Sequence, residues 1–252
     1  MIALLVSVIT AAEVAAAVGG GADIVDVKDP REGSLGAPRP DLIRAVHALT
    51  PPERLVSAAI GDMPHLPGTA ALAGLAAATC GAAYVKVGLR GSRCAADALD
   101  LIQAVVRAVA DAAPSARVIA TAYADGAAFR LLPPHLLPEV AAAAGAHGCM
   151  LDTLSKGAGG LRAALSDADL RRFVDDGRRW GLLVALAGSL TVGDLPFLAQ
   201  LEPDIVGVRG AACAGGRRSG QVEESRVAVL KAALGRTATP LSLSSASADR
   251  SL

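Results

Sequence analysis

At 252 residues the chain has about the length of one closed α/β barrel. Its 24 basic and 24 acidic residues cancel, so no net field draws it to nucleic acid or an anionic membrane, and one Trp, two Tyr and three Phe leave little on which bases could stack. The four cysteines form no C-x-x-C pair and have no histidine at ligand spacing; they indicate neither a zinc site nor a disulfide framework and point to a reducing, cytoplasmic setting.

The apolar start, MIALLVSVIT, lacks a basic leading region and runs into an Ala-rich amphipathic stretch containing Glu13, so it reads as a first strand and not as a signal peptide. From there short β-branched runs alternate with longer Ala/Leu-rich runs of helical period. Strands are expected at 2–7, 23–28, 54–60, 83–87, 117–122, 148–152, 182–187 and 204–208. Helices are expected at 10–18, 39–49, 68–80, 94–112, 134–145, 167–180, 191–200 and 222–234. Residues 66–85 carry no charge and are long enough to span a bilayer, but Pro67, Gly68, Gly74, Gly81 and the Ala content favour a buried helix leading into the fourth strand. Gly21, Gly81, Gly145 and Gly181 stand where helix C-caps belong. Eight such units closing on themselves leave no sheet edge to protect, and neither G-x-G-x-x-G nor a P-loop is present. The expected fold is therefore a single (β/α)8 TIM barrel over residues 1–235. The Ser-rich tail, 236–252, is expected to be disordered.

In such barrels catalytic groups come from the C-terminal strand ends and the loops behind them. The sequence has 20 arginines and only four lysines, and three of the four, Lys28, Lys86 and Lys156, fall at the ends of strands two, four and six. Arginine serves wherever a solvated positive charge suffices; it cannot replace an amine that must lose its proton and attack a carbonyl. Asp26 shares a strand face with Lys28, and Asp152 ends strand six, where it could move protons or simply neutralise Lys156. Clustered ammonium groups would lower the pKa of whichever lysine attacks, and the residues alone do not say which that is. After strands seven and eight, Gly188, Ser189 and Gly210 are small enough for backbone N–H groups to approach a phosphate, with Arg209 beside them. The four histidines show no pattern, and no metal site is expected.

Several long, irregular segments carry a resemblance: DIVDVKDPREGSLGA (23–37), GDMPHLPGT (61–69), YVKVGL (84–89), YAD (123–125), MLDTLSK (150–156), ALAGS (185–189) and DIVGVRGAAC (204–213). Over almost the whole chain they resemble the (5-formylfuran-3-yl)methyl phosphate synthase family of methanofuran biosynthesis. The resemblance implies a lyase that condenses two molecules of glyceraldehyde 3-phosphate, with loss of phosphate and water, and needs neither metal nor organic cofactor. It implies that Lys28 is the Schiff-base lysine and that Lys86, Asp152 and Lys156 are the other active-site residues. The chain departs from the family pattern at 157–160, Gly-Ala-Gly-Gly, where a further Asp and Lys are expected, and at 126–137. The expected partners are the triose phosphate and further copies of the chain in a homo-oligomer, with no nucleic acid and no membrane. A class I aldolase or isomerase of another sugar phosphate could use the same lysines, and a non-catalytic phosphate sensor the same pocket.

Overall fold

A computed structural model describes residues 1–156 and 159–235 of the protein. The expected disordered tail lies outside the described residues, as do two of the four positions at which the 157–160 segment departs from the family pattern. Eight parallel strands, β1 (Ala3–Val8), β2 (Ile24–Val27), β3 (Leu55–Asp62), β4 (Tyr84–Gly88), β5 (Arg117–Tyr123), β6 (Gly148–Asp152), β7 (Leu183–Leu186) and β8 (Ile205–Val208), pair in sequence order, and β1 closes on β8. The helices are α1 (Val14–Gly19), α2 (Pro40–Leu49), α3 (Pro67–Thr79), α4 (Ala95–Ala112), α5 (Leu137–Ala143), α6 (Leu161–Ala164), α7 (Asp167–Arg179), α8 (Leu195–Leu201) and α9 (Glu224–Gly235).

Every expected strand is present, and the differences lie at element ends. The helical stretches expected from residues 10, 134 and 191 each open with a 3-10 turn before α1, α5 and α8, and the short α6 was not foreseen. β3 runs two residues past its expected end at 60: its register against β4 shifts between Ala59 and Asp62, with Gly61 at φ +115°. Only glycine adopts that dihedral cheaply, and the shift carries Asp62 into the barrel mouth. The uncharged stretch 66–85 becomes α3 and the start of β4, and no helix among the described residues is long and apolar enough to cross a membrane.

Strand alternation sorts the chain into three environments. Val6, Val25, Val85, Val118 and Leu151 face outward under the helices, fully buried, as both faces of a parallel barrel must be. Leu5, Ile24, Ile119, Met150, Ala185 and Ile205 face inward and fill the lower barrel. Two residues further along β1, β2, β5 and β6 the inward positions turn polar: Ser7, Asp26, Thr121 and Asp152, each buried. The apolar layer is a floor and the polar layer above it is the site.

At the opposite end Asp23, just before β2, accepts the Leu4 amide at 2.7 Å and pairs with Arg54 at 3.2 Å and with Lys231 of α9. Lys231 is thus the one lysine engaged in closing the barrel rather than lining its mouth. Because the pair is partly exposed and Asp23 keeps its other donors, Lys231→Ala should cost about 0.2–1 kcal/mol and lower Tm by a few degrees. Steady-state rates on the same preparation should be unchanged.

Candidate active site

The polar layer is organised by two ion pairs, one buried and one partly buried. Asp26, fully buried, accepts the Ser7 hydroxyl at 2.8 Å on Oδ2, while Lys86 Nζ lies 2.7 Å from Oδ1. That second contact is close in distance but poorly aligned, for Oδ1 has no donor in hydrogen-bond geometry. Across the mouth, Lys156 Nζ donates to Asp152 Oδ1 at 2.8 Å and to the Thr153 carbonyl, and the Thr153 amide reaches the same carboxylate oxygen at 2.7 Å. Burial alone would raise the Asp152 carboxyl pKa, but Lys156, Lys28 and these hydrogen bonds outweigh it and hold the group below its ordinary range. Asp152 is therefore a carboxylate at neutral pH.

Lys28 follows β2, its amide still donating to the Val8 carbonyl at 3.3 Å, and its side chain enters the same cavity as Lys86, Asp152 and Lys156. It is 8% exposed, and among the described residues its ammonium has neither a hydrogen bond nor an ion pair. Burial pushes its pKa down to about 8 from 10.5, and the charges of Lys86 and Lys156 push the same way against Asp152 and Asp26. Three ammonium groups share two carboxylates, and Lys28 is the surplus one. Asp26 and Lys28 do share a face, as their spacing requires, but the partner of Asp26 is Lys86.

An anion cradle completes the cavity, which encloses about 590 Å³, and a loop packs against Asp152 behind its lining. That loop follows β2: Ser34 Oγ donates to the Thr153 carbonyl at 2.9 Å and lies 3.4 Å from Asp152 Oδ2, and the Ser34 and Leu35 amides donate to Asp62 at 2.7 and 3.3 Å. Tyr123, buried at the end of β5, donates its hydroxyl to the same carboxylate, and desolvation followed by the Asp62 charge pushes its pKa well above 10. Asp125 accepts the Leu154 and Ser155 amides, each at 2.8 Å, and so fixes the turn that delivers Lys156. On the far side, Gly188 (φ +114°) and Ser189 (φ +51°) follow β7 and Gly210 follows β8. Their amides donate to no acceptor among the described residues, and a Cβ on Gly188 would come 2.9 Å from Thr153 Cγ2. Small residues there leave these amides unpaired among the described residues in the cavity lining, an arrangement suited to an anion.

Arg209 corrects the reading of that cradle. The expectation was a guanidinium free to meet phosphate. Instead Nη1 donates to the Ser7 carbonyl at 2.9 Å and Glu13 Oε2 at 2.8 Å, Nη2 to Glu13 Oε1 at 2.9 Å and the Gly220 carbonyl at 2.8 Å, and Nε to the Arg218 carbonyl at 3.0 Å. All five donors are used, so the side chain has none left for a ligand. Its partner Glu13 lies on the far side of the sequence, where spacing gives no hint of it.

The other candidates, Lys28, Lys86, Asp152, Lys156, Asp26, Gly188, Ser189 and Gly210, all line the one cavity. Missing from the expected set were Ser7, Ser34, Asp62, Tyr123 and Asp125. The strand period placed Ser7 in line with Leu5, and the segments containing Asp62, Tyr123 and Asp125 were visible as motifs. The carboxylates of Asp62 and Asp125 act on loop amides, however, and nothing in a linear spacing reports that. His47 packs under Gly81, where a Cβ would fall 2.5 Å from its ring, and His65 sits outside between Asp97 and Asp100.

Solved structures share the fold over nearly the full chain. KGPDC from Streptococcus mutans covers 95% of it at TM-score 0.65 and 15% identity, with 100% of its own chain matched, and 3-hexulose-6-phosphate synthase from Salmonella typhimurium covers 94% at 0.66 and 18%, also with 100% of its chain. Sequence relatives are far nearer. The (5-formylfuran-3-yl)methyl phosphate synthases of Methanocaldococcus jannaschii and Methanosarcina mazei are each 45% identical over 229 residues, covering 90% and 91% of this chain and 97% of their own, and that of Methanothermobacter thermautotrophicus is 46% identical over 229 residues, 90% of this chain and 97% of its own. The 4-HFC-P synthase family model matches residues 4–231. This chain, with its lysine-lined barrel mouth, therefore belongs to the 4-HFC-P synthase family of enzymes.

Proposed function

We propose that the protein makes (5-formylfuran-3-yl)methyl phosphate from two molecules of glyceraldehyde 3-phosphate, as a step toward a methanofuran-type cofactor, through an imine on Lys28. The observation that carries the mechanism is the unpaired, buried Lys28 with its pKa near 8: of the three cavity lysines it alone has no carboxylate partner, so it can be neutral without breaking an ion pair.

The neutral amine attacks the C1 aldehyde of one triose, and loss of one water gives the imine. An imine at C1 acidifies the C2 hydrogen. Asp152, held as a carboxylate, takes that proton, and the C–H electron pair becomes the enamine double bond. The phosphate on C3 is then in the β position, and the enamine electrons expel it with the C–O bond pair while Lys156 supplies positive charge to the departing oxygen. The enol C3 so exposed attacks the C2 carbonyl of the second triose, taken as its ketose tautomer after a proton moves from C2 to C1, and the carbonyl π pair leaves as a protonated hydroxyl; the C1 hydroxyl of that triose then closes on C2 of the first, two waters leave the ring, and hydrolysis of the imine returns Lys28. Two trioses minus one phosphoric acid and two waters have the composition of the furan, so the reaction needs neither oxidant nor reductant. Lys86 and Asp26 form the fixed electrostatic wall behind the imine, and the Gly188, Ser189 and Gly210 amides support binding of a phosphate. A class I aldolase would use the same lysine, but the family relationship favours the furan synthase.

Borohydride added during turnover of glyceraldehyde 3-phosphate should attach a triose fragment to Lys28, and Lys28→Arg should abolish both the adduct and the furan while the barrel stays folded. An adduct at another lysine, or an active Lys28→Arg protein, overturns the assignment. The free enzyme must also lose the Lys28 proton before it attacks. kcat/KM should therefore rise with pH through about 8 and level off above it. A rate that keeps climbing to the ordinary lysine value of 10.5 would contradict the displaced pKa.

A further inference from the structure

The proposed reaction, on which this inference rests, brings two phosphate groups into one cavity, whereas the Gly188, Ser189 and Gly210 amides suit one. Two phosphates at van der Waals separation repel each other strongly unless each meets its own positive group. The chain just after β8, packed against Gly210, supplies a second set. Between Cys213 and Val222, which form an isolated antiparallel bridge, the chain makes a short strap: the Ala214 amide donates to the Gln221 carbonyl and the Gly220 amide to the Arg217 carbonyl, both at 2.8 Å. Gly215 and Gly216 sit at φ +63° and +71°, and a Cβ on Gly220 would fall 2.7 Å from the Ala214 carbonyl oxygen. The strap is therefore a defined shape that glycine favours at these positions.

What holds it is the buried Glu13–Arg209 pair. The guanidinium binds the strap carbonyls of Arg218 and Gly220, and Glu13 accepts the Val222 amide at 3.2 Å. Arg217 and Arg218 ride on this support and line the cavity. Neither has a carboxylate within salt-bridge distance or a side-chain hydrogen bond among the described residues. Arg226 also lines the cavity but is already paired with Glu223 at 2.8 Å. A buried ion pair is an expensive way to shape a surface turn if the turn only needs to stay in place. Here it presents two uncompensated guanidinium groups, whose planar forks match phosphate oxygens.

We propose that the strap is a second phosphate subsite, in which Arg217 and Arg218 hold the phosphate of one triose while the Gly188, Ser189 and Gly210 amides hold that of the other. Arg209 and Glu13 are positioning residues for it. Because the subsite meets the phosphate before and during reaction, its loss raises KM more than it lowers kcat.

The test uses the full-length protein as wild type, Arg217→Ser/Arg218→Ser and Arg217→Lys/Arg218→Lys, with glyceraldehyde 3-phosphate as substrate and inorganic phosphate as product inhibitor. The serine pair should raise KM roughly tenfold or more, weaken inhibition by inorganic phosphate by a similar factor, and keep Tm and borohydride labelling of Lys28 at saturating triose; the lysine pair should recover part of both losses. Unchanged KM and phosphate inhibition in the serine pair, or a fall in kcat alone, would overturn the subsite. Absence of labelling and of furan in the wild type would instead sink the synthase reading itself, so the two failures are distinct.

Discussion

Three ammonium groups and two carboxylates are confined above the apolar floor of a closed barrel, and the rest of the site follows from that imbalance. In a poorly solvated cavity a charge persists only if paired or well hydrogen-bonded. Asp26 takes Lys86 and Asp152 takes Lys156, so Lys28 is left with desolvation and two like charges, which together lower its pKa to about 8. Once Lys28 loses its proton, two ammonium groups face two carboxylates in the charged layer. The same displacement costs stability: with a folded pKa near 8 against 10.5 unfolded, the penalty is on the order of 3 kcal/mol below pH 8 and disappears as pH rises toward 10.5.

The barrel supplies this arrangement through rigidity at two levels. On β2, β4 and β6 inward positions two residues apart pass from the floor to the charged layer, so the side chains of Asp26, Lys86 and Asp152 are set by strand register and not by loops. The loops above are then pinned by carboxylates that do no chemistry: Asp62 holds the segment bearing Ser34, Asp125 the turn bearing Lys156, and Glu13, through Arg209, the strap after β8. A buried carboxylate accepting several amides is a strong and directional clamp. The mouth is thus bordered by chain held at defined points above the charged groups.

The strands were legible because both faces of a parallel barrel are buried and the β-branched runs stand apart from Ala/Leu helices; boundaries moved only where local geometry departed from period, as at Gly61. Lysine scarcity picked out Lys28, Lys86 and Lys156 because arginine and lysine differ in chemistry and not in charge. Pairing was not legible: Asp26 lies two residues from Lys28 yet binds Lys86 on β4, a choice made by register across the barrel. Arg209 shows the same limit in the other direction. Its place beside glycines after β8 suggested a ligand contact, while the carboxylate that occupies it lies 196 residues earlier in the chain. Residues that act on loop amides, such as Asp62 and Asp125, leave no spacing signature at all.

The claim at the centre of this account is that Lys28 is the surplus cation and therefore the one readily neutral amine in the cavity. Competitive trace acylation of the substrate-free protein from neutral to alkaline pH, with mass-spectrometric quantification at each lysine, measures it directly. The account predicts that the acylation rate of Lys28 titrates with a midpoint near 8. A midpoint at the ordinary value of 10.5 would mean that Lys28 carries its charge through the catalytic range, and the charge imbalance would not select it.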